Sequence, residues 1–214
     1  VASIQVNEIF LSIQGESSFA GLPCVFVRLT GCNLRCRYCD TTFAYDEGTF
    51  MEIAEIMQAV RSFGTKLVEV TGGEPLLQEE AHRLLSALLS ENYRVLLETN
   101  GSIDLSRVDP RVVKIVDIKC PGSGESERMR WENIGCLREE DEVKFVLTSR
   151  ADYEWAKGKL EEMDLAGRCK VLFSPAYGFL AGEPLAEWIL ADRLPVRLQL
   201  QLQKILWGPG CRGV

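Results

Sequence analysis

Three cysteines stand close together in the run Gly31-Cys32-Asn33-Leu34-Arg35-Cys36-Arg37-Tyr38-Cys39-Asp40. Closely spaced thiolates hold iron–sulfur clusters, and three protein sulfurs for four irons leave one iron open to an external ligand. The spacing therefore predicts one [4Fe-4S] cluster on Cys32, Cys36 and Cys39, with an iron available for chemistry. Structural zinc is the alternative, but zinc normally takes four Cys or His ligands, commonly grouped in pairs. The chain's single histidine, His82, lies early in a helical stretch and reads as an ordinary helix residue. The other cysteines, Cys24, Cys120, Cys136, Cys169 and Cys211, show no second ligand spacing and read as small packed or surface thiols.

These residues need elements to position them. Apolar runs of about five residues alternate with longer segments of helical period, the pattern of repeated strand-helix units and a parallel sheet. Strands are expected at Val25 to Leu29, Leu67 to Val70, Arg94 to Glu98, Val112 to Ile118, Glu142 to Leu147, Lys170 to Phe173 and Val196 to Leu198. Helices are expected over Met51 to Phe63, Glu80 to Ser90 and Asp152 to Met163, the first with Ile53, Ile56, Met57 and Val60 on one stripe. Cys120 to Asn133, rich in Pro, Gly, Ser and charge, reads as a loop or a mobile lid. In parallel sheets, binding residues gather at the carboxyl edge, where strands run into loops. The cysteine run follows the first expected strand and Thr71-Gly72-Gly73-Glu74-Pro75 the second, while Glu98-Thr99-Asn100-Gly101 and Asp117-Ile118-Lys119 end the next two. All the candidates fall on one edge.

Composition narrows the class. A chain of 214 residues, 46% hydrophobic, suits one sizeable core, so residues 1–214 are expected to form a single catalytic domain. A net charge of −7 with scattered basic residues argues against a nucleic-acid face and for a small-molecule substrate. No apolar run of about 18 residues is present to span a bilayer, and the amino-terminal residues lack the order of a signal peptide. A cytoplasmic protein without a membrane partner is the expectation.

The run Cys32-x3-Cys36-x2-Cys39, with Tyr38 before the last cysteine, resembles the signature of radical S-adenosylmethionine enzymes. There the open iron is chelated by the amino and carboxylate groups of S-adenosylmethionine, which an electron from the cluster cleaves to a 5′-deoxyadenosyl radical. Further segments resemble the 7-carboxy-7-deazaguanine synthase family nearly end to end. These are Ile9-Phe10, Ser12-Ile13-Gln14-Gly15-Glu16, Phe26-Val27-Arg28-Leu29-Thr30-Gly31-Cys32-Asn33, Cys39-Asp40-Thr41, Glu98-Thr99-Asn100-Gly101, Leu206-Trp207-Gly208 and Arg212-Gly213-Val214. The resemblance implies a partial β/α barrel, a homodimer and a flavodoxin- or ferredoxin-type electron donor. The reaction it implies is contraction of 6-carboxy-5,6,7,8-tetrahydropterin to 7-carboxy-7-deazaguanine with loss of ammonia, on the route to queuosine and related 7-deazapurines.

The same resemblance assigns roles, each with a physical reason. Arg28 alternates with Val27 and Leu29 on a core strand, so its guanidinium needs a partner, and a carboxylate suits its fork. That partner is the substrate carboxylate by resemblance, or a carboxylate of this chain. Ile13, Gln14, Gly15 and Glu16 match the family's pterin-binding segment, with Thr71 and Glu98 as further substrate contacts at strand ends. Gly73 lets a backbone approach the methionyl amine of S-adenosylmethionine. Tyr38, Cys39 and Asp40 adjoin the adenine side, and Asp117, Ile118 and Lys119 match a second cofactor-contacting stretch. Thr41 matches a magnesium ligand, and magnesium, which retains waters, needs no carboxylate cage. Val214 would bring a terminal carboxylate to the pocket. One departure stands out: where the family has histidine, this chain has Gln203 followed by Lys204, and glutamine does not titrate near neutrality.

Overall fold

A computed structural model describes residues 3–214. Its strands are β1 (Ser3–Ile13), β2 (Pro23–Leu29), β3 (Thr49–Glu52), β4 (Leu67–Gly72), β5 (Arg94–Thr99), β6 (Val113–Lys119), β7 (Glu142–Leu147), β8 (Lys170–Pro175) and β9 (Arg197–Leu198). The helices are α1 (Ile53–Ser62), α2 (Ala81–Ser90), α3 (Arg150–Glu162), α4 (Gly182–Asp192) and α5 (Leu202–Trp207). All nine strands join one sheet in the order β3-β1-β2-β4-β5-β6-β7-β8-β9. From β2 to β9 the neighbours are parallel, whereas β1 is antiparallel to both β2 and β3. β3 and β9 remain as unpaired edges, so the sheet is an open, partial barrel.

The expected strands all form, with ends shifted by a residue or two. Four elements lie outside the expectation, β1, β3, α4 and the short carboxyl-terminal α5. In β1, mixed burial and a register irregularity between Val6 and Glu8 blur the period-2 pattern. β3 takes Met51 from the expected first helix, which starts at Ile53 behind a capping box between Glu52 and Glu55. α4 buries only Leu185 and Ile189 and carries no clear apolar stripe.

Period-2 alternation divides the sheet into two faces. Val25, Val27 and Leu29 of β2, Val68 and Val70 of β4, and Val143 and Phe145 of β7 point outward and join the main core with Ile56, Leu84, Leu88 and Tyr153 from the helices. The inner face is split along the strand direction. Near the amino ends it is plugged by Phe19, Cys24, Leu67, Leu96, Val113 and Ile115. Towards the carboxyl ends the inward side chains become polar, with Arg28 opposite Thr71, Glu98 opposite Ile115 and, one inward position further, Asp117 opposite Lys144.

The segment 120–133 is not a free lid. Ser123 is fully buried and its carbonyl accepts from Arg37 N at 3.0 Å. Asn133, also buried, donates to the carbonyls of Gly101 and Ile103 and accepts from Leu105 N. Polar composition here reflects backbone-satisfying side chains in short 3-10 turns, which tie the segment to the cysteine loop.

Candidate active site

At the carboxyl ends of the strands the inner face opens into a cavity of about 260 Å³. Cys32, Cys36 and Cys39 border it. Gly31, at φ 98°, turns the chain out of β2 into the cysteine loop, a left-handed conformation that glycine adopts freely. The loop after β4 crosses directly over this turn. A Cβ on Gly73 would lie 2.2 Å from Gly31 O and 2.7 Å from Cys32 Cβ, and one on Gly72 would lie 2.3 Å from Leu29 O. Both glycines are therefore required by close packing of the two loops, whatever Gly73 also offers a ligand. Glu74 braces the crossing: its carboxylate accepts from Leu76 N at 3.0 Å, Asn100 N at 2.6 Å and Thr99 Oγ1 at 2.9 Å. Its own N–H donates to Gly31 O at 2.7 Å.

Burial raises the Cys32 thiol and takes that of Cys36 up to about 11, with Lys119 opposing the shift. Bound iron would supply the positive charge that thiolates need. Among the described residues, no three His, Cys, Asp or Glu side chains converge where a single metal ion could sit. One zinc would require its sulfurs at ~2.3 Å from a common point. In a [4Fe-4S] cluster, by contrast, each of the three sulfurs would bind its own iron. Asn100 Nδ2 lies 3.9 Å from Cys32 Sγ and 3.1 Å from Asn33 Oδ1, fixing the loop from the β5 side.

Lys144 of β7 anchors an ionic cluster in the cavity wall, with its side chain only 5% exposed. Its ammonium donates to Glu16 Oε2 at 2.9 Å and to Glu98 Oε1, and lies 3.8 Å from Asp117 Oδ2. Lys119 pairs with the same Asp117 oxygen at 2.7 Å. Glu16 Oε1 also accepts from Gln201 Nε2 at 3.0 Å and Gln203 Nε2 at 2.9 Å. Burial acts to raise the Glu16 carboxyl, but the Lys144 charge and these hydrogen bonds overcome it and hold it at about 2. Glu69 on β4 shows the reverse. Burial and the neighbouring Glu98 push it well above the usual carboxylate range, while Gln14 Nε2 donates to its Oε2.

The Radical SAM superfamily profile matches residues 26–116, the stretch holding the cysteine loop and its two crossing loops. A 7-carboxy-7-deazaguanine synthase of Chlorobaculum tepidum is 53% identical over 100% of this chain and 98% of its own length. One from Koribacter versatilis is 44% identical over 99% of this chain and 100% of its own. The chain belongs to the 7-carboxy-7-deazaguanine synthase family. Its fold is also that of a solved structure, the Escherichia coli QueE crystal structure, at a TM-score of 0.77 and 21% identity over 94% of each chain.

Most positions matched to this synthase family border the one cavity: Ile13 from the end of β1, Gln14, Gly15 and Glu16 from the loop after it, Arg28 and Thr71 from adjacent strands, Glu98 from β5, and Asp117 and Lys119 from β6. Tyr38, Cys39, Asp40, Thr41, Gly73 and Val214 border it too. Ile118 does not: its side chain is 2% exposed on the outer face, inside the main core, so a ligand could meet only its main chain. Arg28 has a partner within the chain, since its Nε donates to Glu8 Oε1 at 2.7 Å. Its Nη groups make no hydrogen bond among the described residues, so the pair with Glu8 aims the guanidinium rather than consuming it.

The family's Gly15 has a steric role of its own. A Cβ there would lie 1.8 Å from Gln203 Oε1, and Gly15 O accepts from Leu202 N at 3.0 Å. The carboxyl-terminal segment thus seats directly on the loop after β1. Thr41 Oγ1 donates to Asp40 Oδ1 at 3.0 Å, and Asp40 Oδ2 pairs with Lys204 at 2.6 Å. Lys144 and Glu69 are not candidates in the sequence reading, and Glu74 and Lys204 enter it only as a loop residue and as the neighbour of Gln203, without these roles. For the first two the signal was present: each is a charge flanked by apolar neighbours in a strand, the pattern that picked out Arg28. Glu74 and Lys204 act through distant partners, which a linear pattern does not display.

Proposed function

We propose that this chain converts 6-carboxy-5,6,7,8-tetrahydropterin to 7-carboxy-7-deazaguanine with loss of ammonia, as a radical S-adenosylmethionine carbon–nitrogen lyase. The observation that carries the reading is a single cavity lined both by the three cysteines and by Arg28, Thr71, Glu98 and Glu16. A [4Fe-4S] cluster on Cys32, Cys36 and Cys39 with S-adenosylmethionine would supply the hydrogen-abstracting radical. Tyr38, Asp40, Gly73 and the Asp117–Lys119 stretch are proposed to hold that cofactor. Gly73 serves through its peptide and Ile118 only through its main chain.

The remaining side chains bind and orient the substrate. The free edge of the Arg28 guanidinium suits a carboxylate, which it can take in bidentate fashion. Glu16 and Glu98 offer acceptors to the amino and ring N–H groups of a pterin. Ile13, Gln14 and Gly15 shape the wall beside them, and Val214 lies within reach of the same space. Magnesium is proposed beside Thr41. Because Lys204 already pairs with Asp40, substrate oxygens and waters would complete its shell, as this ion tolerates. A ferredoxin- or flavodoxin-type donor, a homodimer and a cytoplasmic setting extend the family resemblance; among the described residues, no helix is long and apolar enough to cross a membrane.

The test is anaerobic reconstitution followed by mass spectrometry with 6-carboxytetrahydropterin, S-adenosylmethionine, magnesium and a reductant. Formation of 7-carboxy-7-deazaguanine is expected. Release of 5′-deoxyadenosine without that product would keep the radical chemistry and overturn the substrate.

A further inference from the structure

We propose that Lys144 is a positioning residue for this reaction, one that holds the Glu16 and Glu98 carboxylates aimed into the cavity as anionic acceptors for the N–H groups of the substrate. The inference rests on the function proposed above. Lys144 lies on the inner face of β7, opposite Asp117 in the strand register, and touches carboxylates from three separate elements. Glu16 comes from the loop after β1, Glu98 from the end of β5 and Asp117 from β6. All three border the cavity, so the cluster organises its wall rather than the fold's apolar core.

The work of pinning the 14–22 loop to β7 is done one layer lower. There Glu142, two residues before Lys144 on the same face, accepts from Ser18 N at 3.0 Å and from Ser18 Oγ. Lys144 is therefore not the loop's only tie to β7. What it adds is charge. The titratable or charged groups around Glu16 and Glu98 are Glu69 of β4, Asp117 and Lys119 of β6, Lys144 itself, and Asp40 of the cysteine loop with Lys204, which pairs with it at 2.6 Å. Lys119 is engaged with Asp117, which leaves Lys144 as the cation in contact with both glutamates. Without it, burial of Glu16 would be opposed only by the amides of Gln201 and Gln203, and a buried carboxyl lacking a counter-charge protonates at higher pH.

Lys144→Gln keeps a hydrogen-bond donor and removes the charge, which guards against a misfolded variant, and Lys144→Arg restores the charge. The measurement is the pH dependence of kcat/KM for 7-carboxy-7-deazaguanine formation in reconstituted enzymes matched for iron content. Lys144→Gln is expected to gain an acid limb, losing about tenfold between roughly pH 8 and pH 6, as a carboxylate whose pKa enters that range must. Wild type and Lys144→Arg should lack that limb. A loss of the same size at every pH, or none, would overturn the positioning role while leaving the functional reading intact. Absence of product from the wild-type enzyme would overturn both.

Discussion

Arg28 and Cys36 border the same cavity yet make separable contributions. Cys36→Ala removes one of three sulfurs, so iron content and 5′-deoxyadenosine formation are both expected to fall to background, measured by iron assay and chromatography. Arg28→Ala should leave iron content unchanged and raise KM by about ten- to a hundredfold, the range for losing a charge-assisted hydrogen bond. Its effect on stability should stay below about 1 kcal/mol, since the Glu8 pair is partly solvated, with side chains 18% and 21% exposed. Lys at this position should restore little, because a point charge cannot reproduce a guanidinium held at Nε with its other edge free. The chemistry-bearing residues were legible because radical cofactors impose short spacings in the chain. Lys144 and Glu69 were visible to the same alternation argument, but their meaning depends on which strands become neighbours.

At the scale of elements, the two glycines and Glu74 show how one loop positions another. The sequence Thr71-Gly72-Gly73-Glu74-Pro75 reads as a ligand loop, yet its first duty is to pass within contact distance of Gly31 and brace the loop after β5. Burial carries the Glu74 carboxyl up from 4.5 to about 7, against hydrogen bonds from Asn100, Leu76 and Thr99. Since the folded state binds this proton more tightly than the unfolded chain, stability falls as pH rises from 4.5 to about 7 and then levels. The group's contribution is of order 3 kcal/mol at most. Glu74→Gln should flatten that slope in denaturant midpoints recorded from acid to neutral pH; an unchanged slope would assign it to another group. Parallel strands were readable here as short β-branched runs buried on both faces. β1 and α4 were not, because one has an irregular register and the other buries only two side chains.

Across the whole molecule, an open sheet must keep water from its inner face without closing its hydrogen-bonding ladder. The chain does so with the 14–22 loop, which lies across the inner face from β4, through Gln14 and Glu69, to β7, through Ser18 and Glu142. Phe19 fills the lumen beneath it, with Arg94 stacked 4.8 Å from its ring centroid. Composition and periodicity establish a parallel α/β sheet, but the extent of curvature and the strap across it come from contacts more than a hundred residues apart in sequence, as Ser18 and Glu142 are. Glu142→Ala tests this arrangement. It removes the acceptor for Ser18 N and Oγ, and unmaking buried hydrogen bonds to a charged group costs roughly 1.5–3 kcal/mol. Thermal unfolding should report that loss. Because Glu16 is carried on the same loop, KM for the pterin should rise as well, whereas iron content should not change, the cysteine loop being held independently by Gly31, Glu74 and Asn100. Loss of iron together with substrate affinity would mean that loop and cluster form one cooperative unit, and that the open barrel is organised around its mouth rather than along its strands.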